Sequence, residues 1–211
     1  MQQTIYKSLP VIKKMEEKYI KEISVRGRYA TGLSCVKLLF RERNLHHTEF
    51  SRTLIRKLGE FTKSNKLDIW EEGVKAYLPC YESSDETISK LQEFNKFCKE
   101  YKSSRDKDWY KGFSFEILDS AFYEELITFY KTPENKVIKE IVELCENIGC
   151  AELYGAMSKG KSKNTLKYLN EIFKITNLTS EFDFKKIAKE HSFSNQDGWG
   201  NVFDFKTFER K

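Results

Sequence analysis

Apolar residues recur at three- and four-residue intervals along most of this 211-residue chain, the period of one face of an α-helix. Ser8-Leu9-Pro10 opens a first helix, since proline in the first turn loses no hydrogen bond. Val11, Met15, Tyr19 and Ile23 then share its inner face. Gly27 and Gly32 bracket a predicted turn, and a second helix is expected from about Leu33 to Arg43. Asn44-Leu45-His46-His47 reads as a connector, after which Thr48 caps a third helix running to about Lys63. Leu67 to Tyr77 forms a fourth, stopped by Pro79. Ser83-Ser84-Asp85-Glu86 has the form of a capping box, followed by Ile88, Leu91, Phe94, Cys98 and Tyr101 at helical spacing. Phe113 to Ile117 alternates and predicts a short strand.

The second half continues the same way. Ala121, Phe122, Leu126 and Phe129 mark one helix. Thr132-Pro133-Glu134 starts another, with Val137, Ile138, Ile141, Val142, Cys145 and Ile148 inward and Gly149 as its stop. A short helix over Ala151–Met157 precedes a polar break, Ser158 to Lys163. Leu166, Leu169 and Phe173 then share a helix face, and Ser180 with Asp183 caps a last helix through Ile187 to His191. The segment from Ser192 to Lys211 is irregular but holds Phe193, Trp199, Phe203, Phe205 and Phe208, so it is expected to dock on the body. Phe182-Asp183-Phe184-Lys185 reappears as Phe203-Asp204-Phe205-Lys206, with flanks too different to make a repeat. The expected fold is mainly α: a compact multi-helix domain of about nine helices with at most two short strands. It is taken as one domain over 1–211, its only candidate boundary near 102–112.

Composition narrows the class. Aromatic residues are 14% of the chain, more than a disordered polymer carries. No apolar run reaches the roughly 18 residues that a membrane helix needs. The first residues lack the basic-then-apolar form of a signal peptide, so a soluble, cytoplasmic protein is expected. Cys35, Cys80, Cys98, Cys145 and Cys150 form no Cys-x-x-Cys pair and sit in apolar periodic segments, where a reduced thiol acts as a small hydrophobe.

Charge is segregated. Six of the eight arginines lie between Arg26 and Arg56. Ten basic residues face three acids from Arg26 to Lys66, whereas eight acids face four lysines from Asp68 to Glu100. The third helix turns this into geometry. With Phe50 at 0°, Phe61, Leu54 and Leu58 fall at about 20°, 40° and 80°, and Arg52, Lys63 and Arg56 at about 200°, 220° and 240°. Its apolar face enters the core and its cations form an outward stripe. With Lys37 and Arg41 on the preceding helix, the pair has the outline of a helix-turn-helix. Arg26, Arg28, Lys37, Arg41, Arg52, Arg56 and Lys63 are therefore expected on one positive surface that suits phosphates. The alternative is a solvated amphipathic face.

Other motifs are slighter. Lys159, Lys161 and Lys163 make a second basic segment able to touch phosphate. Gly155-x4-Gly160-Lys161-Ser162 has the letters of a P-loop but lacks the buried strand that must precede one. Arg41-x4-His46 resembles the catalytic spacing of the HEPN family of helical ribonucleases. The resemblance implies phosphate binding by Arg41 and proton transfer by His46, and Glu42 beside Arg41 is unfavourable to it. Three histidines without an i, i+4 pair argue against a metal, and no cofactor is expected. The favoured expectation is a helical protein that binds DNA or RNA without catalysis, within a larger assembly. An adaptor whose basic face meets an acidic protein ranks second, and a HEPN-like ribonuclease third.

Overall fold

The structure is a computed structural model that describes residues 14–78, 120–151 and 162–208, with isolated positions between 92 and 100. Several expectations lie outside the described residues: the start of the first helix, the stop at Pro79, the helix after Ser83, the strand at 113–117 and the boundary near 102–112, the helix after Ala151, and Cys80 and Cys98.

Eight α-helices and short 3-10 turns make a mainly α fold, with no strand among the described residues. In chain order they are α1 (Lys14–Glu22), α2 (Val25–Glu42), α3 (Glu49–Lys63), α4 (Leu67–Val74), α5 (Ser120–Lys131), α6 (Lys136–Cys150), α7 (Lys163–Thr176) and α8 (Phe184–Glu190). The helix α2 is the axis of the packing. It lies against α3, α6 and α7, and fifteen of its eighteen residues are buried.

That burial corrects the expected turn at Gly27 and Gly32, both of which are inside α2. Each glycine lets a neighbour come close. A Cβ on Gly27 would lie 2.6 Å from Ile23 Cγ2, and one on Gly32 would lie 2.9 Å from Ile172 Cδ1 and 3.0 Å from Cys145 Sγ. Tight helix packing, not a chain reversal, requires glycine at these places. Gly149 is corrected likewise: it precedes the last residue of α6, and its missing side chain admits the Trp70 ring, 2.6 Å from an ideal Cβ.

One hydrophobic cluster joins the helices, centred on Tyr29, Leu33, Phe61, Trp70, Ile141 and Ile172. Cys35 and Cys145 are buried inside it, and Cys150 is half-buried. Burial pushes the Cys145 thiol well up, and burial, Glu146 and Glu71 push Cys150 up to about 12, so both stay protonated.

The segment after α8 docks as the aromatic content predicted. Phe205 is buried, and Phe193, Trp199, Phe203 and Phe208 are partly buried against the core. Its backbone also completes the start of α2. Ser24 N–H donates to His191 O at 2.8 Å and Arg26 N–H to Trp199 O at 3.1 Å, while Phe193 N–H donates to Glu22 O at 2.7 Å. The two Phe-Asp-Phe-Lys sequences serve one local purpose. Asp183 caps α8 through Lys186 N–H and Asp204 caps a 3-10 turn through Lys206 N–H, each followed by a buried phenylalanine.

Candidate nucleic-acid interface

The helices α2 and α3 run antiparallel, held by Tyr29 Oη donating to Leu58 O at 2.9 Å and Arg26 Nη2 donating to Ser64 O at 2.8 Å. Between them the connector turns at Asn44, whose φ of 57° is left-handed, a conformation asparagine tolerates. Thr48 then caps α3, accepting from Ser51 N–H at 3.1 Å. The buried face of α3 is the one the angular pattern indicates: Phe50, Leu54, Leu58 and Phe61 are in the core.

The opposite side of this pair forms a cleft of about 530 Å³. Phe40, Ile55, Gly59 and Phe205 give it an apolar floor. Lys37 and Arg41 from α2, Arg52, Arg56 and Lys63 from α3, and Lys206 from the docked segment bring six cations to its walls. Three acids, Glu49, Glu60 and Asp204, share the lining. Glu60 is buried with Lys57, the two charges 3.7 Å apart, and Asp204 accepts Lys206 N–H at 2.9 Å. Arg52 Nε is steadied by Thr48 O at 3.3 Å, and Lys37 Nζ lies 6.0 Å from the Phe205 ring centroid. His46 reaches the same cleft from the connector. Burial, His47 and Arg41 hold its imidazole below the usual range, which favours the neutral form.

Five of the predicted cations thus meet: Lys37, Arg41, Arg52, Arg56 and Lys63. Arg26 and Arg28 do not join them. Arg26 is 6% exposed and Arg28 is 0% exposed. Arg26 donates through Nη1 to Gly200 O at 3.0 Å as well as to Ser64 O. Arg28 donates to Ser162 O, Thr165 Oγ1 and Lys21 O at 3.1, 2.7 and 3.0 Å, and its Cζ lies 4.9 Å from the Phe193 ring centroid. Both act as internal ties. A cation buried against carbonyls keeps its charge because those dipoles replace water.

Lys163 is exposed at the start of α7 and does not line the cleft; Lys159 and Lys161 lie outside the described residues. The Gly155–Lys161 part of the P-loop pattern lies outside the described residues, and the last described element before it is the helix α6. Among the described residues, no group of three His, Cys, Asp or Glu side chains is placed to hold a metal, and no helix is long and apolar enough to cross a membrane.

Sequence reasoning missed Lys206, Phe205 and Asp204 as cleft residues. The recurrence of Phe-Asp-Phe-Lys was the available signal, because it marked a second place where an aspartate caps a turn and seats a phenylalanine. Comparison with family models, curated proteins and solved structures finds no match for this chain.

Proposed function

We propose that the protein binds nucleic acid, gripping phosphates in the cleft between α2 and α3, and that it does so without catalysis as part of a larger assembly. The observation that carries this reading is the convergence of six cations on one concave lining against three acids. Two of those acids are engaged, Glu60 beside Lys57 and Asp204 at its turn. Guanidinium groups suit phosphate because they donate in a planar fork and stay charged at any working pH. Phosphates entering the cleft would release condensed counterions, so affinity should depend steeply on salt.

Replacing Arg52 and Arg56 by glutamine tests this. The log–log slope of affinity against salt should flatten by about two, with similar weakening on unrelated sequences. An unchanged slope refutes the proposal, and absence of binding at low salt favours an acidic protein partner for the same surface.

A second reading has one observation in its favour. Arg41 and His46 line the same cleft, the pairing of a phosphate-binding arginine with a proton-transferring histidine that the HEPN resemblance implies for cleaving RNA. Replacing His46 and His47 by alanine should leave affinity nearly intact under the binding reading. RNA cleavage that survives purification and vanishes in that variant would establish the ribonuclease instead.

A further inference from the structure

A second hollow, of about 660 Å³, lies beside the cationic cleft, inside the roughly 300–1,000 Å³ range of small-molecule sites. The chain places the two side by side. Phe203 N–H donates to Thr62 O at 3.0 Å, and Thr62 Oγ1 donates to Phe203 O at 2.9 Å. Lys63 and Asp204, each one residue from that pairing, line the cleft. Asn65 and Val202, on the same two segments, line the hollow. Lys63 and Asn65 are two residues apart, as are Val202 and Asp204, so about 7 Å of chain separates the two linings.

The hollow's chemistry differs from the cleft's. Its lining includes Trp199, Asn65, Asn201, Gln196 and Val202, the last an exposed large apolar side chain at 46%. Trp199 is half-buried, with Arg26 Cζ 5.9 Å from its ring centroid. Arg26 also borders the hollow, and its buried Nε–H finds no partner among the described residues. The turn that carries these groups holds Gln196 at φ 49° and Asp197 at φ 51°, left-handed conformations that cost energy in residues with a Cβ. Gly200 at φ 79° packs against Ser24, leaving no room for a side chain. An indole, carboxamides that both donate and accept, and an apolar wall are the groups that take up an unstacked nucleobase.

We infer that the Trp199 hollow receives a base from the strand whose phosphates lie in the cleft, which makes the ligand single-stranded nucleic acid. This rests on the binding reading above and narrows it. A duplex keeps its bases stacked and paired and would fill the hollow only by flipping one out, at a cost of a few kcal/mol that a single strand largely avoids.

The test measures the affinity of the full chain for a labelled, mixed-sequence single strand of about eight nucleotides and for the same sequence as a duplex. The single strand should bind at least about tenfold more tightly, and Trp199→Ala should remove about tenfold of its affinity while leaving the duplex unchanged. Asn65 and Asn201 are exposed, so the double variant Asn65→Ala/Asn201→Ala keeps the fold and should cost a smaller factor on the single strand alone. If single strand and duplex bind equally and neither variant matters, while Arg52→Gln/Arg56→Gln still weakens both, the inference is overturned and the cleft reading stands. If neither nucleic acid binds the unmodified protein, both readings fall.

Discussion

Phe205 is the anchor by which the docked segment holds α3, and removing its ring should have a consequence that a second substitution makes specific. An ideal Cβ on Gly59 would lie 3.0 Å from Phe205 Cβ, 3.2 Å from Cδ1 and 3.2 Å from Cγ. The ring is 6% exposed and sits under Lys37. Phe205→Ala should therefore cost roughly 3–5 kcal/mol, the usual price of a fully buried phenylalanine. For a chain of this length that is a fall of about 6–20 °C in Tm. Gly59→Ala alone gains helix propensity of about 1 kcal/mol but overpacks against the ring at a cost of about 1–3 kcal/mol, so it should be neutral to destabilising. In the Phe205→Ala background the ring's two contacts are gone and the segment can retreat from the remaining Cβ. There Gly59→Ala should stabilise relative to Phe205→Ala. Urea unfolding of the four proteins reads the coupling, expected at about 1 kcal/mol or more. Strictly additive effects would show that Phe205 does not rest on Gly59.

Two further outcomes are expected. Gly149→Ala should destabilise by about 1–3 kcal/mol, because its Cβ would meet the Trp70 ring at 2.6 Å and that ring is enclosed by Tyr29 and Phe61; unfolding midpoints check it, and an unchanged midpoint would place Trp70 elsewhere. His191 packs at a tilt against the Phe203 and Phe208 rings, and burial lowers its pKa below 6.5 against the raising effect of Glu190. The unfolded chain thus binds this proton more readily, so the contribution is full above about 6.5 and is lost as pH falls through the lowered folded value. Tm should drop on acidification less steeply in His191→Phe than in the unmodified protein, and parallel curves would refute the assignment.

How much of this was legible in the chain depends on how each helix meets solvent. The third helix has one wet face, so its burial is written in the angular order of Phe50, Leu54, Leu58 and Phe61, and the cation stripe follows from the same wheel. The helix α2 is surrounded. A helix buried on all sides carries no amphipathic period, and its glycines, read as turn residues, were marks of close packing. Arg26 and Arg28 were misplaced for a related reason. Most of their acceptors, Gly200 O, Ser64 O and Ser162 O among them, come from segments far along the chain, and nothing local announces those. One local fact did speak against a shared surface: residues two apart on a helix point about 200° from each other. The Trp199 hollow was legible only as an aromatic segment that had to dock somewhere, since its shape arises from long-range backbone pairing.

That pairing bears on how the molecule comes into being. The first turn of α2 has N–H groups that a helix cannot satisfy from within; that of Arg26 donates to Trp199 O, and that of the capping Ser24 donates to His191 O. On a ribosome, residues 191–208 emerge after every other described element. The central helix can form and gather α3, α6 and α7 around it, yet its leading end stays open until synthesis has passed Gly200. The Arg26 guanidinium waits with it, a cation facing a half-built interior. Closure then joins segments about 170 residues apart, a late and entropically slow event. A nascent chain halted before that point should present the apolar lining around Ile23 and Thr62 to chaperones, and release should coincide with the arrival of the docked segment.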